Sequence, residues 1–91
     1  MDIDNKEVEI LKKMYELEDF FLANGFKIRW DMEEPWLYSL FARKGAVRTS
    51  ASLYLNRFRL TTSTGTSESC ALTDLKIEDG ILFINGKGFI V

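Results

Sequence analysis

The hydrophobic period of this chain changes once, at Asn24-Gly25, and never changes back. Before that point Ile10, Leu11, Met14, Leu17 and Phe21 recur at three- and four-residue steps, with Val8, Tyr15 and Leu22 widening the stripe. Such spacing predicts an amphipathic helix over about residues 4–23. Asp4 followed by Glu7 has capping-box-like spacing, and Asn24-Gly25 supplies a left-handed stop. Beyond it the period is two. Phe26, Ile28, Trp30 and Met32 alternate with Lys27, Arg29, Asp31 and Glu33, the pattern of a half-buried strand.

Turn signals then follow in quick succession. Glu34-Pro35 ends the first strand, and Lys44-Gly45 is read as a two-residue hairpin turn. Asp79-Gly80 and Asn85-Gly86 are preferred type I′ pairs, because both central positions need positive φ. Strands are expected at about 26–32, 36–43, 46–60, 68–78, 81–84 and 87–91, with the polar stretch 61–69 as a loop or hairpin tip. Connections this short make neighbours in sequence pair in space. The expected fold class is therefore α+β. One N-terminal amphipathic helix packs on one face of a five- or six-stranded antiparallel meander sheet, and a cystatin-like wrap of sheet around helix is one realisation of that shape.

One segment violates its own alternation. With Lys44-Gly45 as the turn, Ala42 pairs with Val47, Leu40 with Thr49, Tyr38 with Ala51 and Trp36 with Leu53, forming an apolar inner face. Continued by twos, Leu53 and Leu55 face inward, and so would Arg57 and Arg59. Burying two unpaired guanidinium groups costs several kcal/mol. An extra residue near Asn56, as a β-bulge or sharp bend, inverts the phase. Phe58 and Leu60 then turn inward, and Arg57 and Arg59 join Arg43 and Arg48 outside.

Charge follows the same division. Residues 1–34 carry ten acids and five bases, residues 35–67 five bases and no acid, and residues 68–91 four acids and two bases. The net charge is nevertheless −2, against a strongly basic nucleic-acid binder. With 46% hydrophobic residues, 91 residues suffice for one domain with a core. No apolar run approaches the ~20 residues of a membrane span.

Catalysis is disfavoured by what is missing. There is no histidine, one cysteine and no glycine-rich phosphate loop, so His-based triads, zinc clusters and nucleotide motifs are all excluded. No catalytic residue, cofactor or metal ligand is assigned. Asp31, Glu33 and Glu34 read as solvated turn charge, and the N-terminal acids as helix-favouring charge rather than a phosphate mimic. Cys70 reads as a packing residue, and a lone cysteine fits a reducing, cytoplasmic setting.

What remains is binding. The expected function is a small non-enzymatic protein-binding domain: an inhibitor, adaptor or regulatory subunit. A phage- or mobile-element-type inhibitor of a host nucleic-acid enzyme is one version. Its contact residues are Arg43, Arg48, Arg57 and Arg59 for steering, with Ile81, Phe83 and Ile90 as an exposed apolar cluster beside an edge strand at 87–91. That edge is also the expected route to a homodimer. The alternative is single-stranded nucleic acid lying on the arginines, with Phe41, Lys44 and Tyr54 as further contacts.

Overall fold

The computed structural model describes residues 5–32 and 38–89. Helix α1 (Asn5–Ala23) buries Ile10, Met14, Leu17, Phe20 and Phe21, the stripe expected from three- and four-residue spacing. Its end is a Schellman motif. Phe26 N–H donates to the Phe21 carbonyl at 2.9 Å and Gly25 N–H to that of Leu22 at 3.2 Å. Gly25 has φ +83°, which a side chain would strain. The Phe21 and Phe26 rings, 4.8 Å apart, make the hydrophobic contact that accompanies this motif. The capping pair at Asp4 lies outside the described residues.

The α+β class and the helix on an antiparallel sheet hold. Strands β1 (Lys27–Asp31), β2 (Ser39–Lys44), β3 (Val47–Ser52), β4 (Arg57–Thr62) and β5 (Ser67–Ala71) form a five-stranded antiparallel meander in that order. The last three strands, β6 (Leu75–Glu78), β7 (Ile81–Ile84) and β8 (Lys87–Phe89), form a separate sheet. The expected strand over 68–78 is therefore interrupted. A 3₁₀ turn at Leu72–Asp74 carries the chain from one sheet to the other, anchored by Leu72, which is wholly buried. Helix α1 touches β1, β2, β6 and this turn, so the two sheets share one core with the helix. Leu40, Phe58, Leu60 and Cys70 come from the first sheet, and Leu75, Leu82 and Ile84 from the second.

Two turns differ from expectation. The β2–β3 hairpin pairs Lys44 with Val47 and Arg43 with Arg48, so its turn is Gly45-Ala46 rather than Lys44-Gly45. Gly45 takes φ +58° while Ala46 keeps a negative φ, the pattern that favours glycine first in a type II′ turn. Ala42 thus pairs with Thr49 and Leu40 with Ala51. This slip of two residues leaves every side chain on the face assigned to it, because the strand period is two.

The second difference is larger. No bulged strand runs through 46–60. Leu53 to Asn56 form a turn, and β4 folds back antiparallel on β3. Asn56 has φ +50°, a conformation asparagine tolerates better than most residues. The inversion of phase survives under this different cause. Phe58 and Leu60 are 0% and 2% exposed, and Arg57 and Arg59 are exposed. Leu55 does not face inward: it is 62% exposed at the turn, beside Tyr54 at 70%. Half of the expected 61–69 loop is strand, since β4 extends to Thr62 and β5 begins at Ser67.

Candidate binding face

Register alone assembles the outer face of the five-stranded sheet. Lys27, Arg43, Arg48, Thr61 and Ser67 make one cross-strand row. Arg29, Phe41, Ser50, Arg59 and Ser69 make the next, and Asp31, Ser39, Ser52, Arg57 and Ala71 the third. Six cations and one acid, Asp31, thus share this face among the described strand residues. Lys27, Arg29, Arg43, Arg48, Arg57 and Arg59 are all exposed.

None of the six pairs with a carboxylate among the described residues. The ion pairs there join Lys13 to Glu16 and Lys87 to Glu68, both elsewhere. Arg29 instead lies over the Phe41 ring at 4.9 Å, and Arg57 donates a long hydrogen bond to Ser69 Oγ at 3.4 Å. Arg43 and Arg48 are direct cross-strand partners, an arrangement that destabilises a sheet. Lys27, Arg29, Phe41, Arg43 and Arg48 surround a shallow depression of about 440 Å³. A second depression, of about 430 Å³, adjoins it through Lys27 and Arg43 and adds Lys44. Serine and threonine occupy most of the remaining positions, beside Phe41, Asp31 and Ala71.

The four arginines singled out in the sequence are therefore brought together, and two cations are added to them. Lys27 and Arg29 belong to the same face because β1 pairs with β2. Their alternation with Phe26, Ile28 and Trp30 was the available signal. Phe41 lies in the middle row of the face, between Arg29 and Ser50, half-buried. Lys44 reaches only the second depression at the sheet's rim, because its ammonium sits over the Phe26 ring at 5.8 Å and its strand position is on the inner side. Tyr54 stands at the opposite end of the strands, in the turn after β3.

Of the apolar cluster expected at Ile81, Phe83 and Ile90, the two described members do not stand fully exposed. Ile81 and Phe83 are half-buried and belong to the second sheet, apart from the arginine face. They close over Gly88, where a Cβ would lie 3.2 Å from Phe83 Cε1 and 3.4 Å from Ile81 Cγ2. The missing side chain of one residue is the socket for two others. Ile90 lies outside the described residues, as do Glu33 and Glu34. The large apolar groups that do reach solvent near the arginines are Tyr54 and Leu55, in the turn that leads into Arg57.

Cys70 is buried, with its thiol pushed above its ordinary value by desolvation first and by the nearby Asp74 carboxylate second, against lowering by Arg57 and by an Asn85 backbone hydrogen bond. A thiol held neutral is a poor nucleophile. No described helix is long and apolar enough to cross a membrane. Comparison of the chain with protein-family models, with curated proteins and with solved structures finds no match.

Proposed function

We propose that this domain is a non-enzymatic binding module whose outer sheet face receives an acidic surface of another protein. The observation that carries the reading is the set of six exposed cations without a carboxylate partner among the described residues, on a chain whose net charge is −2. Solvated sheet faces ordinarily intersperse the two signs, because opposite charges across strands stabilise and like charges do not. A face that keeps Arg43 against Arg48 gives up stability, and a partner's carboxylates are what would return it. Arginine and tyrosine are the residue types that most often dominate protein interfaces. Here Tyr54 and Leu55 would supply the apolar anchor and the arginines steering and register. An inhibitor, adaptor or regulatory subunit acts in this way, and an inhibitor of phage or mobile-element type fits a short chain with strongly divided charge. The single cysteine fits a reducing compartment such as the cytoplasm.

The test is site-specific photo-crosslinking from Ser50, at the centre of the face, in cells that express the chain. A protein adduct that disappears when Arg48 and Arg59 are both changed to Glu is the expected result. Adducts that ignore the charge reversals would exclude the face as the binding surface.

A second reading is favoured by one feature, the position of Phe41 amid the cations: a single nucleic-acid strand laid across the face, with phosphates on the arginines. Fluorescence anisotropy of labelled oligonucleotides separates the two. Four phosphate contacts give log K a slope of about −3 against log salt. Such a slope, with micromolar affinity, would replace the first reading by the second; no binding at low salt would remove the second.

A further inference from the structure

The five-stranded sheet has two edges, and they are treated differently. Along β5, Asn85 Nδ2 donates to the Ser69 carbonyl at 3.3 Å and Lys87 pairs with Glu68 at 3.6 Å, so the β7–β8 hairpin lies against that edge. Along β1, no backbone hydrogen bond from a turn or loop arrives among the described residues. An edge left open among the described residues is a template for another strand. From the structure we infer that its occupant is a second copy of this chain, paired antiparallel through β1 about a two-fold axis at Trp30.

The sequence of the edge is complementary to itself in that register. Arg29 of one copy faces Asp31 of the other, twice over, on the outer face. Neither residue has an ion-pair partner in the monomer among the described residues. On the inner face Trp30 meets its own copy, and Met32, 66% exposed in the monomer, meets Ile28. Cross-strand pairs of opposite charge and of large apolar groups are the ones that stabilise an antiparallel ladder.

The helix agrees with the strand. Val8, Leu11, Tyr15, Glu18 and Leu22 follow three- and four-residue steps along one flank of α1, the spacing of a helix-pairing seam. Val8, Tyr15 and Leu22 are exposed at 36%, 52% and 54%, although the adjoining stripe of the same helix is buried. This flank lies beside β1: the Tyr15 and Trp30 rings are 5.6 Å apart, and Trp30 Nε1 donates to Glu18. A two-fold axis at Trp30 therefore lays two copies of the seam antiparallel, on the same side of a continuous ten-stranded sheet. The outer faces merge at the same time into one basic surface of doubled length. A two-fold interface of this kind uses one patch twice and closes, leaving no edge for further growth.

Sedimentation equilibrium of the purified chain across micromolar concentrations is the test. Wild type should have twice the 10.5 kDa chain mass. Asp31→Arg sets like charges opposite one another and should give the monomer mass, and adding Arg29→Asp should restore the dimer by exchanging the pair. Tyr15→Glu, on the helix flank, should also give a monomer with an unchanged circular dichroism spectrum, which decides the matter if Asp31→Arg fails to fold. A monomeric wild type, a dimer indifferent to Asp31→Arg and Tyr15→Glu, or a failure of the charge exchange to restore pairing would each overturn the inference.

Discussion

Arg43 and Arg48 are register partners across the β2–β3 hairpin, and neither has a carboxylate within ion-pairing distance among the described residues. Like charges in that position oppose folding, so relieving them should stabilise the monomer. Arg48→Glu creates an opposite-charge pair with Arg43 and should raise stability by about 0.5 kcal/mol, screened by salt. Thermal melts at low and high salt measure it. A variant more stable than wild type that has also lost its partner would show the trade of stability for binding directly. A lower melting temperature at low salt would mean the pair is not repulsive.

The turn at Leu53–Asn56 gives two large apolar residues three positions apart opposite fates: Leu55 within it is exposed and Phe58 beyond it is buried. Leu55→Ser should change stability by no more than about 0.5 kcal/mol, since the side chain is largely in water. Phe58→Ala should cost about 3–5 kcal/mol, because its ring is wholly buried and leaves a cavity. Urea denaturation of the two variants checks the pair. Comparable losses at both positions would contradict the hairpin.

Asn56 combines a left-handed backbone with a buried side-chain oxygen, Oδ1, that finds no hydrogen-bond partner among the described residues. Its carbonyl accepts from Leu72 N–H at 3.2 Å, which ties this turn to the 3₁₀ turn between the sheets. Asn56→Gly removes both strains and leaves the backbone bond intact, so it should be neutral or stabilising. Asn56→Val forces a β-branched residue to positive φ and should cost about 1–3 kcal/mol. Melting temperatures in the order Gly, Asn, Val are expected, and a Val variant as stable as wild type would refute the account.

Gly88 is constrained by its neighbours rather than by its own φ. Gly88→Ala drives a methyl to within 3.2 Å of the Phe83 ring and should cost about 1 kcal/mol or more. In a Phe83→Leu background, where that ring edge is gone, the same substitution should cost less. A double-mutant cycle by chemical denaturation reads the coupling. Additive effects would show that the two residues do not touch.

Burial of Cys70 makes stability depend on pH in the alkaline range. Its thiol ionises less readily in the folded chain than in the unfolded one. The contribution is therefore complete below the unfolded value and is lost as pH rises from there through the folded value. Wild type should lose stability relative to Cys70→Ser as pH rises through that window, with no such divergence at neutral pH. In the same experiment the native thiol should react with a disulfide reagent only at the rate of opening. Parallel pH profiles for the two proteins would contradict it.

Local features were legible wherever one residue type has one physical meaning. Asn24-Gly25 had to end the helix, and Asp79-Gly80 and Asn85-Gly86 had to be turns. All four turn residues of the last two pairs do take positive φ. The arginine face was legible through parity, because two guanidinium groups could not follow Leu53 inward. How the phase inverted was not. A bulge and a four-residue turn satisfy the same burial argument, and the turn at Leu53–Asn56 contains neither glycine nor proline.

The sequence by itself determined the helix, the alternation of each strand and the gathering of Arg43, Arg48, Arg57 and Arg59 on one side, since each follows from the periodicity of a backbone and the cost of burying charge. Tertiary structure alone decided that the strands divide into two sheets, that Phe83 packs half-buried over Gly88, and that the β7–β8 hairpin lies against the β5 edge while no described turn or loop bonds to that of β1. Those outcomes depend on which surfaces meet across the core. Contact between residues distant in the chain has no period for a sequence to display.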